Sequence, residues 1–192
     1  MTLLILGLVV FLGIHSARVF AEATRRNFIA QRGAGAWKGL YTVVSLAGFA
    51  LLVWGYGQAR LQPTVVWNPP VAMRHVASLL TLVSFVLLAA AYVPGNQIKA
   101  KLHHPMTLAV KVWAFAHLIA NQTLADLLLF GGFLAWSIAV FSAARRRDRA
   151  DGITYAAGTA SRTGITVVVG LIAWIVFALW LHGPLIGVRP FG

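Results

Sequence analysis

Six apolar runs of about 20 residues, almost free of charge, constrain this chain more than any other feature. They cover residues 2–20, 37–56, 73–93, 103–121, 124–143 and 164–181, and the short connections and run ends hold most of the arginine and lysine. A soluble core does not accept so many helices that are apolar all round, whereas a bilayer does. With 59% hydrophobic and 10% charged residues, the chain reads as all-α: a polytopic transmembrane helix bundle of about six spans. A single domain over residues 1–192 is expected.

The net charge of +12 suggests a nucleic-acid partner only until the positions are read. Twelve of the basic residues fall in alternate connections: Arg18, Arg25, Arg26, Arg32 and Lys38, then Lys99 and Lys101, then Arg145, Arg146, Arg147, Arg149 and Arg162. Only Arg60, Arg74 and Arg189 fall on the other side. This asymmetry is that of cytoplasmic loops, so both termini are expected outside and nucleic acid is not an expected partner. Positive charge follows the first run instead of preceding it, which favours a span over a cleaved signal. Without cysteine there is no disulfide, thiolate or Cys-ligated cluster. Four acidic residues, Glu22, Asp126, Asp148 and Asp151, are too few for a carboxylate-rich di-metal centre.

Histidine is therefore the ligand type to follow. The run His103–Asn121 opens on a His-Pro step suited to a helix start and carries Lys111, Trp113, His117 and Asn121. Ionisable groups in hydrocarbon are costly and point to function. In the first run Phe11, His15, Arg18 and Glu22 follow at helical spacing, predicting one polar ridge. At 1.5 Å per residue His117 lies ~18 Å from the inner end of its span and His15 ~10 Å from the inner surface, overlapping depths for two imidazoles. Two readings stay open: the pair ligates one iron porphyrin from either side, or each makes hydrogen bonds between helices. Under the first, Arg18 meets a propionate, and Trp113 and Asn121 pack on the macrocycle or orient His117.

Lys111 either snorkels, pairs with Asp126 or a propionate, or lines a cavity. His75 and His104 are additional candidates, His104 as a ligand or in proton transfer against the plainer reading of His103 and His104 as interfacial. His182 is read as structural. Tyr41, Ser45 and Gly48 form a small and hydroxyl face for helix contact. Pro63, Pro69 and Pro70 break the connection after the second run. The run Arg145–Arg149 reads as topology and lipid-headgroup contact, and the Gly, Ala, Ser and Thr residues from there to Thr163 as partly disordered.

The chain also resembles the NnrU family of bacterial membrane proteins over nearly its whole length. The matching residues are His15-Ser16-Ala17-Arg18, Gly39-Leu40-Tyr41 through Ser45-Leu46, Trp67 with Pro69-Pro70, Tyr92-Val93-Pro94-Gly95, His104-Pro105, and Trp113-Ala114-Phe115-Ala116-His117-Leu118-Ile119-Ala120-Asn121. The resemblance implies a multi-pass protein of the bacterial inner membrane in a nitrogen-oxide or denitrification context. It also implies kinship with 15-cis-zeta-carotene isomerase, a haem b membrane protein whose histidines look matched by His15 and His117. A further functional histidine of the isomerase has no counterpart here, where Trp67-Asn68-Pro69-Pro70 stand, and Gln122 occupies a position where the family commonly has glycine.

Three functions follow as expectations. One is a haem b protein acting on a lipophilic polyene or in nitrogen-oxide-linked redox chemistry, with membrane lipid and a lipophilic small molecule as partners. Another is a non-enzymatic accessory or assembly protein. The third is a membrane methyltransferase, which shares a His-Pro helix start but carries C-terminal acidic residues, and here nothing acidic follows Asp151.

Overall fold

The computed structural model describes residues 1–191, and helices account for most of them: α1 (Thr2–His15), α2 (Ala17–Phe20), α3 (Glu22–Leu61), α4 (Ala72–Tyr92), α5 (Gln97–Leu102), α6 (Pro105–Ala120), α7 (Leu124–Ala150), α8 (Ala160–Val176) and α9 (His182–Ile186), with a wide π turn over Phe177–Leu181. Among the described residues, four helical stretches are long and apolar enough to cross a membrane: Glu22–Leu61, Ala72–Tyr92, Leu124–Ala150 and Ala160–Ile186. Thr2–His15 and Pro105–Ala120 are apolar but shorter. The outward side chains of α3 and α8 include Val43, Leu46, Val53, Val168 and Ile172, as suits helices solvated by lipid.

Two compact units are separable, one comprising Met1–Asn68 with Gln122–Trp136, the other beginning at Pro69–Asn121 and resuming at Ser137. In the first, α1 stops at Ser16, whose hydroxyl donates to Leu12 O at 2.7 Å and whose N–H bonds Gly13 O at 3.0 Å. The expected single span over 2–20 is thus two helices. A second irregular residue, Ala21, follows α2, so the ridge His15–Arg18–Glu22 does not run along one helix; Glu22 pairs with Arg25 at 3.2 Å.

α3 begins well before Trp37 because the basic segment is itself helical, broken only at Gly33 (φ 83°), a backbone state open to glycine. Its apolar half meets α1 through glycines. A Cβ on Gly7 would lie 2.4 Å from Leu52 N, one on Gly48 2.8 Å from Phe11 N, and one on Gly55 2.3 Å from Leu4 N. Dispersion between backbones at this distance drives association in lipid, where the hydrophobic effect does not. Beyond α3 the chain is extended, and Val66 N–H to Gln122 O and Leu124 N–H to Thr64 O, both 2.8 Å, tie it to the start of α7.

In the second unit α4 packs against both α6 and α8. Gly170 lets α8 approach, since a Cβ there would lie 2.6 Å from Val86 Cα. Ser84 Oγ donates to Ala109 O at 2.8 Å and Trp174 Nε1 to Thr81 Oγ1 at 3.1 Å, so the polar groups on these faces are satisfied internally. Asn96, 1% exposed, holds the turn after α4: its amide donates to Ala90 O (2.9 Å) and Val93 O (2.5 Å), while its Oδ1 accepts from Lys99 N–H (2.7 Å) as the cap of α5. The segment expected to be partly disordered follows a defined path. Gly158 lies against the Asn96–Gln97 backbone, and Thr159 N–H bonds Gly95 O at 2.9 Å. Pro184 offers no N–H to the carbonyl of Trp180, and the helix widens over Phe177–Leu181 just before it.

Candidate functional site

His15 and His117 are each the last or nearly the last helical residue before an interruption, and each is anchored in the same way. His15 Nδ1 lies 2.7 Å from Phe11 O, and His117 Nδ1 lies 2.9 Å from Trp113 O. A carbonyl only accepts, so Nδ1 carries the proton in both rings, and the neutral imidazole has its lone pair on Nε2. This is the tautomer in which a metal-ligating histidine is held when its other nitrogen bonds a carbonyl.

The surroundings of His15, all within the first unit, are aromatic. Phe11 lies 4.2 Å away between ring centroids, Tyr41 5.1 Å, and Trp136 6.3 Å edge-on. Tyr41 and Ser45 share the face expected for helix contact, and Gly48 on that face meets Phe11 of α1. Two buried polar atoms near this cluster, Trp136 Nε1 and Ser45 Oγ, have no hydrogen-bond partner among the described residues. An orphaned buried donor is uncommon and calls for an explanation.

His117 lies in the second unit with the residues expected around it. Trp113 is 5.1 Å from its ring, and Asn121 Nδ2 donates to His117 O at 2.8 Å. Lys111, on the same helix, sits 4.6 Å over the Phe141 ring. Asp126, one partner considered for Lys111, instead accepts from Tyr56 OH at 2.5 Å and from Thr123 N–H and Oγ1 at 3.0 and 2.7 Å. Arg18 is exposed on α2, and His75 is exposed in the first turn of α4.

The structure also gathers a constellation that sequence reasoning did not assemble. His104 Nε2 donates to Asp148 Oδ2 at 2.7 Å, and Tyr155 OH donates to the same oxygen at 2.9 Å. Asp148 lies beyond the apolar part of α7. Burial pushes its carboxyl up, but the bonds from Tyr155 and His104 outweigh this and hold it below its ordinary value. Burial and Asp148 together push the Tyr155 phenol up. His103 stacks on Tyr155 at 4.1 Å and accepts through Nδ1 from Arg145. That nitrogen also lies 3.9 Å from Asp148 Oδ2, but a ring nitrogen accepting from a guanidinium has no proton to offer a carboxylate. Asp148 was visible in the sequence as the one acid among the arginines; Tyr155 carried no local signal. Among the described residues no three side chains of metal-ligating type converge.

A family model described as NnrU protein matches residues 3–190. No curated protein and no solved structure matches the chain.

Proposed function

The chain belongs to the NnrU family, and from that premise we propose a multi-pass protein of the bacterial inner membrane, six spans with both termini outside, that binds haem b through the imidazoles of His15 and His117. The observation that carries the reading is the repeated anchoring of these two rings, Nδ1–H to the carbonyl one turn back, which fixes both in the tautomer a metal-ligating imidazole adopts. Phe11, Tyr41 and Trp136 around His15 supply flat apolar walls suited to a macrocycle. The orphaned Trp136 N–H and Ser45 hydroxyl fit a site whose occupant brings polar atoms of its own. Arg18, three residues on from His15 in the sequence, would be the cation for a carboxylate of that occupant.

Haem held by His15 and His117 would supply a redox-active iron for the chemistry. The chain's own part is to fix the imidazole tautomers, exclude water with aromatic and aliphatic side chains, and admit an apolar partner from the bilayer. The resemblance to 15-cis-zeta-carotene isomerase drawn from the sequence, together with the aromatic lining at His15, favours isomerase-type chemistry on a lipophilic polyene; nitrogen-oxide-linked redox chemistry is the second use of the same group. Protein purified from haem-replete cells is expected to give a haem b spectrum in alkaline pyridine. Conversion of a cis-polyene by the reduced protein then assigns the first chemistry, and a nitric-oxide-induced spectral change without polyene conversion the second. Haem-free protein that co-purifies with an assembly partner, or that binds S-adenosylmethionine, overturns the reading in favour of an accessory protein or a methyltransferase.

A further inference from the structure

Where α7 leaves its apolar stretch, a cleft of about 300 Å³ opens between the helix end and the connection that follows, lined by His103, Arg145, Asp148, Arg149, Gly152, Ile153 and Thr154. The charges in it are not paired with one another. Asp148 takes its hydrogen bonds from His104 and Tyr155, and no described carboxylate forms an ion pair with Arg145 or Arg149. Arg145 donates to the His103 ring and not to a carboxylate. Its charge is therefore not matched by an acidic partner, the condition in which a guanidinium is ready for an oxyanion.

The backbone at His103 is shaped to make that contact. Its φ of 68° and ψ of −53° lie outside the regions open to ordinary residues. His104 N–H bonds Leu102 O at 2.9 Å, a three-residue turn of the strained kind. Stacking on Tyr155 at 4.1 Å and the bond from Arg145 hold it there. Strain maintained by surrounding contacts is a mark of functional positions.

We infer that this cleft is a binding site for a phosphate group, with Arg145 and Arg149 as its charged ligands and Thr154 as a neutral donor. The negative end of the α7 dipole and Asp148 work against an anion, so two uncompensated arginines are the minimum the site needs. The phosphate belongs either to an anionic lipid headgroup, as the position at the end of an apolar helix suits, or to a soluble phosphate. This inference is independent of haem.

The test uses the full chain in detergent with two probes: phosphatidylglycerol, its retention read by native mass spectrometry, and inorganic phosphate, read by phosphorus NMR line-broadening in lipid-free micelles. Arg145→Gln is expected to weaken binding of one or both probes about ten-fold, the loss of one charge-assisted bond. Arg149→Gln, which removes no recorded internal hydrogen bond, should weaken it comparably if Arg145→Gln proves unstable. Arg146, exposed on the same helix and outside the cleft lining, is the control. Response to phosphatidylglycerol alone assigns a headgroup site, and response to inorganic phosphate alone a soluble ligand; both support the site. Binding of neither probe, or an equal loss in Arg146→Gln, overturns it, the latter because only diffuse charge would then be at work.

Discussion

Gly55 brings α3 so close to Leu4 of α1 that an added Cβ would lie 2.3 Å from the leucine nitrogen. What it would strike is backbone, which cannot rotate away as a side chain can. Gly55→Ala is therefore expected to destabilise the first unit by at least about 2 kcal/mol through overpacking. Gly57, two residues on, has nothing within 4 Å of its would-be Cβ. There alanine should be neutral or stabilising by up to about 1 kcal/mol on helix propensity. Thermal unfolding of both variants in one detergent makes the comparison, and equal midpoints would refute the close crossing.

Asn96 should tolerate no replacement. Alanine removes the cap of α5 and leaves the carbonyls of Ala90 and Val93 without their donor, a combined loss of about 2–4 kcal/mol. Aspartate keeps the acceptor for Lys99 but sets a carboxylate against two carbonyls, so it should be no more stable than alanine. Denaturation that finds Asn96→Asp more stable than Asn96→Ala would show that the amide donors contribute little.

The Asp148 network predicts a pH dependence with a definite sign. Because the folded carboxyl lies below its ordinary value of 3.8, its stabilisation is complete above that pH and drains away as acid approaches the lower folded value. Tyr155 behaves in reverse: its phenol is raised from 10.0, so its contribution is complete below that pH and is lost as alkali approaches the higher folded value. The difference in melting temperature between the native chain and Asp148→Asn should narrow as pH falls from about 5 to about 3. A difference that stays constant across that range would remove the network from the account.

Tyr56 donates at 2.5 Å to Asp126, a carboxylate only 7% exposed. Tyr56→Phe leaves one buried oxygen with a partner fewer and should cost about 1–3 kcal/mol. Thr123→Ser, which retains the hydroxyl bonded to the other oxygen, should cost less. The reverse order in a melting series would mean that Thr123 holds Asp126 through its methyl packing.

What was legible in the sequence is what local chemistry encodes. The His104-Pro105 step starts α6 where expected and Asn121 closes it, and on the face expected for helix contact Tyr41 and Gly48 meet α1. The polar ridge from His15 through Arg18 to Glu22 failed because Ser16 turns its hydroxyl onto Leu12 O, a choice open to any serine in a helix. The basic segment before Gly33 is helical as well, which hydropathy does not suggest, because arginine, alanine and glutamine have good helix propensity. Tyr155 on Asp148, and Thr64 paired with Leu124, are contacts between distant positions that periodicity does not encode. The Gly- and Thr-rich stretch before α8 has the composition of a loose connection, yet Gly158 is there because only a residue without Cβ fits against Asn96.

The reading of His15 and His117 as haem ligands meets its most direct test in the optical spectrum of the purified protein, oxidised and reduced. The account predicts a Soret band in the native chain that collapses in His15→Ala and again in His117→Ala, with both variants still folded by circular dichroism. A colourless protein after haem-replete expression, or a Soret band untouched by either substitution, would contradict it.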